Sequence, residues 1–119
     1  MAELSVDTLF DAAVRIQLLE RSITVSFAPD QSIRIKFPIT RRLAEFLGMP
    51  HYIVLRYVAM MEKEDLVIKA ERVGIITTRK GSRKMIDLMR EKYRKESEGI
   101  LGKEIFEELQ KNDRKHPVF

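Results

Sequence analysis

Gly48-Met49-Pro50 interrupts a stretch that is otherwise helical on both sides, and this break limits the possible fold more than any other feature. Before it, Leu43, Ala44, Phe46 and Leu47 make the apolar side of a short helix, with Thr40 placed to cap its start. Gly48 ends that helix, because glycine enters the left-handed backbone region without a Cβ penalty. Pro50 suits the entry of the next helix, where its missing N–H is not needed. That second helix is expected from about His51 to Lys63, with Val54, Tyr57, Val58 and Met61 recurring at helical spacing toward a core. Two helices joined by so short a turn form a corner, and the corner needs a further helix against which to bury its inner faces.

The segment from Ser5 to Glu20 can supply it. Val6, Leu9, Phe10, Ala13, Ile16 and Leu19 lie three and four residues apart, and either Ser5 or Asp7 could cap the helix. SITVSF and SIRIKF follow. Ile23, Val25 and Phe27 alternate with polar residues, as do Ile33, Ile35 and Phe37, and Pro29-Asp30 supplies turn chemistry between them. The pair predicts a β-hairpin over 22–37, ended by Pro38, which cannot donate a ladder hydrogen bond. Beyond the corner, Leu66, Val67 and Ile68 predict a strand, Glu71 to Gly74 a turn, and Ile75 to Thr77 the returning strand. Thr78 can cap a longer helix from about Arg79 to Ser97, with Met85, Ile86, Met89 and Tyr93 inward. Gly99 and Gly102 punctuate, and Lys103 to Lys111 predicts a short last helix around Ile105, Phe106 and Leu109, before a frayed end, NDRKHPVF. The expected organisation is a main domain over 1–98, then a short helix and tail over 99–119.

Composition narrows the function. At 119 residues the chain is one domain's worth, long enough for a real core. It has no cysteine, so disulfides and thiolate metal sites are excluded. No apolar run approaches the roughly 18 residues of a membrane span, and MAELSVDTLF lacks the pattern of a secretion signal. A cytoplasmic protein is the simplest expectation. Neither a Gly-rich phosphate loop nor a nucleophile elbow is present. His51 and His116 stand apart, and Glu62, Glu64 and Asp65 fall at a helix end where solvated charges are ordinary. The expectation is a protein that is not an enzyme and carries no metal or cofactor. Met49, Met60, Met61, Met85 and Met89 are read as core filler on inner faces. The net charge of +4 is unevenly placed: residues 79–96 carry eight basic and three acidic side chains, and the rest of the chain is close to balance. A concentrated basic patch attracts phosphate, because each neutralised phosphate releases condensed counterions.

Several short runs from Thr40 to Gly81 carry a resemblance: Leu43-Ala44-Glu45, Leu47-Gly48-Met49, the Val54, Arg56, Val58, Met61, Glu62 set, Asp65-Leu66-Val67, and Ile76-Thr77-Thr78-Arg79-Lys80-Gly81. In this order and spacing the stretch resembles the winged helix-turn-helix domains of prokaryotic transcription regulators, of the multiple-antibiotic-resistance and arsenic-repressor types. The resemblance implies an α+β fold: a winged helix-turn-helix with an extra N-terminal hairpin strand and C-terminal helices. It also implies duplex DNA as partner. The helix 51–63 would read bases, and the wing 66–78 would touch phosphates or the minor groove. Carried over by position, His51, Tyr52, Leu55 and Arg56 face the groove, Arg72 stands at the wing tip, and Arg41 and Arg42 lie near phosphates. Arg79, Lys80, Arg83 and Lys84, in the first turn of the following helix, would stand near the wing base within reach of phosphates. In these regulators that helix often builds a homodimer. Met85, Ile86, Met89, Tyr93, Ile105 and Phe106 could serve that purpose, or could pack against Ser5–Glu20.

The helix expected to read bases is unusually apolar. Tyr52, Ile53 and Leu55 lie where hydrogen-bonding side chains usually stand, which suits thymine methyl groups and also suits a protein partner. The alternative is therefore a winged helix used as a protein–protein interaction module or as a subunit of a larger complex. RNA binding by the same basic surface is a third reading.

Overall fold

In the computed structural model of the protein, which describes residues 4–115, the first helix begins where Ser5 Oγ accepts a hydrogen bond from the Thr8 backbone N–H at 3.1 Å. Ser5 is thus the cap, and Asp7 lies inside the first turn of α1 (Val6–Leu19), near the positive end of the helix. Leu9, Phe10, Ala12, Ala13, Val14 and Ile16 of α1 are buried, whereas Leu19, expected inward, runs past the core and is exposed. Next come β1 (Val25–Phe27) and β2 (Ile33–Ile35), paired antiparallel with Val25 opposite Ile35 and Phe27 opposite Ile33. Asp30 closes their turn by accepting from the Ser32 backbone N–H at 2.9 Å and the Ser32 hydroxyl at 2.5 Å, and these bonds hold its carboxyl below the usual range. β2 buries Ile33 and Ile35 because α4 and α6 pack on it, while Phe27 on the outer strand stays exposed.

α2 (Thr40–Leu47) and α3 (His51–Lys63) form the expected corner, with Gly48 left-handed at φ 63°. The Gly48 and Met49 N–H groups close the helix end onto the Glu45 and Ala44 carbonyls at 3.3 and 3.0 Å. Thr40 is a correction. Ile39 holds the cap position with no side-chain bond, and Thr40 is the first helical residue. Its hydroxyl is instead taken by the His51 ring across the corner, Oγ1 to Nε2 at 2.7 Å. α1 packs behind both helices, and Val54, Val58 and Met61 of α3 are buried. Met60 faces out and Met49 is half-buried, so only three of the five methionines read as core filler are buried.

β3 (Val67–Ala70) and β4 (Gly74–Thr77) pair antiparallel around a turn at Glu71–Val73, with left-handed backbone at Arg72 (φ 66°) and Gly74 (φ 108°). The two hairpins meet edge to edge: the Phe37 N–H donates to the Ile75 carbonyl at 2.8 Å, and Lys36 stands opposite Ile76. A buried hydroxyl relay reinforces the seam. The Ile35 N–H donates to Thr77 Oγ1 at 2.8 Å, and Ser82 Oγ donates to the Ile33 carbonyl at 2.6 Å. With the Ser82 proton so placed, the 2.6 Å contact between the two hydroxyls must use the Thr77 proton.

Thr78 caps α4 (Arg79–Glu91) as expected, accepting from the Gly81 N–H at 3.1 Å and donating to the Asp65 carbonyl at 2.6 Å. The single helix expected over 79–97 is two. α4 stops at Glu91, and α5 (Arg94–Leu101) starts after Tyr93, whose backbone is non-helical at φ −130°, ψ 32°. A tertiary bond accompanies the break: Tyr93 OH donates to Asp11 Oδ1 at 2.6 Å. Gly102, at φ 87°, separates α5 from α6 (Lys103–Lys115). The last helix outruns its expected end at Lys111, tied back by Arg83, which donates to the Asp113 carbonyl at 2.9 Å and to its carboxylate at 3.2 Å. The rest of the segment expected to fray, 116–119, lies outside the described residues.

One core joins these elements, with Phe10 and Phe37 edge to face at 5.3 Å and Phe106 and Leu109 contributed by α6. The chain is a mixed α+β protein of six helices and two antiparallel hairpins among the described residues. Met85, Ile86, Met89 and Phe106 are buried within the chain, so of the six residues offered for dimer formation only Tyr93 and Ile105 keep surface to present.

Burial, then the Asp11 bond, pushes the Tyr93 phenol up to about 12. A free phenol ionises near pH 10. Between about pH 10 and 12 the unfolded chain therefore releases a proton that the folded chain keeps, and stability falls as pH rises through that window. An absorbance titration of the phenolate band should show one phenol ionising at about pH 12, and Tyr93→Phe should remove that component.

Candidate nucleic-acid interface

At 100° per residue, Tyr52, Leu55, Arg56, Ala59, Met60 and Lys63 fall within an arc of about 140° on α3. All six are exposed. The opposite side carries Val54, Val58 and Met61 into the core, so the fold presents this arc outward along the whole helix. Tyr52 is 64 % exposed, Leu55 42 % and Met60 43 %, an apolar band with Arg56 and Lys63 beside it. His51 takes no part. Its ring is turned back onto Thr40, half-buried, so it steadies the corner instead of facing outward with its neighbours.

The basic residues expected to contact phosphate or bases divide into two groups. Arg41 in the first turn of α2, Arg56 on α3 and Arg72 at the β3–β4 turn are exposed, and among the described residues no carboxylate or carbonyl engages them. The other basic candidates are occupied, while Lys36, Lys63, Arg94, Lys95 and Lys103, outside that set, are exposed and also without partners among the described residues. Arg42 pairs with Glu20 at 3.1 Å and Arg79 with Asp30 at 3.7 Å. Lys80 donates to the Glu64 carbonyl at 3.1 Å, Arg83 is bound to Asp113 and Lys84 to Asp7. The α4 cations therefore face α1, α6 and the β1–β2 turn. Lys80 sits at the C-terminal end of α3, about 20 Å along the helix from His51. The structure does not bring these four together with the outward face of α3.

The open groove beside them, about 620 Å³, is lined by Asp7, Glu64 and Asp87 as well as Lys80, Arg83 and Lys84, a nearly balanced set with no focused positive field. Sequence reasoning missed Lys63, which shares the outer arc of α3. The helical period alone could have placed it there. Among the described residues, no three His, Asp or Glu side chains converge as a metal site would require, and no helix is long and apolar enough to cross a membrane. His116 lies outside the described residues.

α3 thus turns an apolar band outward, and α2, α3 and the β3–β4 turn each carry an exposed arginine without a partner among the described residues. No family model, no curated protein and no solved structure matches the chain.

Proposed function

We propose that the protein is a winged helix DNA-binding protein and a transcription regulator, with α2–α3 as its helix-turn-helix, β3–β4 as its wing and α3 as the helix that enters the major groove. One observation carries this reading: each of those three elements bears an exposed arginine, Arg41, Arg56 or Arg72, without a partner among the described residues, while the cations of α4 are bound within the chain. A guanidinium held by a carboxylate has to give up that partner before it can neutralise a phosphate, whereas a free one does not. The exposed arc of α3 fits a groove about 12 Å wide.

Binding to random duplex DNA, followed by fluorescence anisotropy, tests the proposal. Three neutralised phosphates give a slope of about −2.7 in log affinity against log salt, a loss of about 40-fold between ~50 and ~200 mM. Arg41→Ala and Arg72→Ala should each lower the slope by about one. Arg83→Ala should leave it nearly unchanged and cost stability instead, because its partner Asp113 sits in a partly buried place that already raises the carboxyl's pKa against the pull of Arg83. Absence of salt-sensitive binding at low ionic strength would refute the proposal.

A second reading is favoured by the exposure of Tyr52, Leu55 and Met60 along one helix face: a protein-interaction module docking a partner on α3. It predicts that Leu55→Ala abolishes partner binding while the arginine substitutions leave it intact.

A further inference from the structure

Resting on the DNA reading above, we propose that α3 recognises the C5-methyl groups of pyrimidines in the major groove, placed beside a guanine read by Arg56. The chemistry of the helix limits what it can recognise. HYIVLRYVAMMEK contains no Asn, Gln, Ser or Thr, so the bidentate pairing by which adenine is usually read has no donor–acceptor side chain to make it. Glu62, its only carboxylate, is turned to Lys69 at 3.6 Å, which leaves the Tyr52 hydroxyl as the one side-chain oxygen on the outer arc. Besides Lys63, whose single ammonium cannot make the forked contact of a guanidinium, two things remain there. Arg56 has no partner among the described residues and matches the N7 and O6 acceptors of guanine. Tyr52, Leu55 and Ala59, spaced three and four residues apart, form a continuous apolar strip directly beside it.

An apolar strip facing base edges finds one apolar group in the major groove, the pyrimidine C5-methyl. Leu55 and Arg56 are adjacent, so methyl and guanine must be neighbours in the site. Thymine and 5-methylcytosine both present this methyl, and the arms of the test separate them.

The full-length chain would first select its preferred duplexes from a random pool. Each thymine of the preferred core is then replaced by deoxyuridine, which removes the methyl and leaves every hydrogen-bonding edge intact. A core thymine whose methyl is buried on α3 should lose about fourfold in affinity. The Leu55→Ala protein should bind thymine and uracil duplexes alike, because the side chain that meets the methyl is gone. Leu55 is partly exposed, so this variant keeps the fold, as its circular dichroism should show. If selected cores instead place cytosine beside guanine, C5-methylation should raise affinity by the same factor, identifying 5-methylcytosine as the source. Uracil duplexes bound as tightly as thymine duplexes, with no gain on cytosine methylation, would overturn the methyl inference and leave DNA binding standing. Failure to retain any duplex at ~50 mM salt would overturn both.

Discussion

Gly81→Ala is expected to lower the stability of the protein by about 3 kcal/mol or more, a fall of roughly 10–15 °C in the thermal midpoint. Gly81 is the third residue of α4, and the backbone there runs against the start of β3. A Cβ built on it would stand 1.9 Å from the Leu66 carbonyl oxygen, 3.0 Å from the Leu66 carbonyl carbon and 3.2 Å from Thr77 Cβ. Two of those atoms are backbone and cannot rotate away. The Leu66 carbonyl is also the acceptor for the Thr78 N–H at 3.0 Å, so moving it loosens the cap of α4. Every other effect of the substitution points the opposite way. Alanine is the better helix former by about 1 kcal/mol, and it restricts the unfolded chain. A neutral or stabilising result would therefore mean that α4 does not press on Leu66. Gly48→Ala makes a useful contrast: its Cβ would meet nothing within 4 Å, and only the left-handed backbone, at φ 63°, opposes it. A cost of about 1–2 kcal/mol is expected there. Thermal unfolding of both variants separates a steric cause from a conformational one.

Thr77→Val should cost about 2–3 kcal/mol by denaturant unfolding, with little change in the slope of the transition. Valine nearly matches threonine in shape, so packing is preserved and the hydroxyl alone is removed. That hydroxyl accepts from the Ile35 N–H and donates to Ser82, and both Thr77 and Ser82 are buried. Removing it leaves a buried backbone N–H with no acceptor, which incurs the full desolvation penalty of that group. Ser82→Ala should cost a similar amount by orphaning the Ile33 carbonyl and the Thr77 proton. Because the two hydroxyls share a bond, the double variant should cost measurably less than the two single costs added together. A loss within 0.5 kcal/mol of zero for Thr77→Val, the usual size of a surface substitution, would mean that the relay does not join the hairpins.

The features legible in the sequence were those with local causes. Gly48 and Pro50 punctuate the corner within three residues, and Ser5 and Thr78 cap their helices through bonds three residues away. The outward face of α3 followed from the helical period of Val54, Val58 and Met61. What escaped has partners far along the chain. Neither glycine nor proline marks the break between α4 and α5; there Tyr93 bonds to Asp11, 82 residues earlier. Thr40 was lost as a cap to a histidine eleven residues on. Charge suffered most. Counting placed the positive excess in 79–96, and a count cannot register that Asp7, Asp30 and Asp113 fold back onto Lys84, Arg79 and Arg83. Within 79–96 only Arg94 and Lys95 stay exposed without partners among the described residues, and further such arginines stand on α2, α3 and the β3–β4 turn.

Backbone amide shifts followed as a short duplex is added at low salt report which surface of the protein meets the DNA. If α3 enters the groove, the perturbed amides gather around Arg41, along the Tyr52–Lys63 side of α3 and at Glu71–Val73, and the first turn of α4 stays quiet. Perturbations centred on Arg79–Lys84, or absent from α3 altogether, would contradict it.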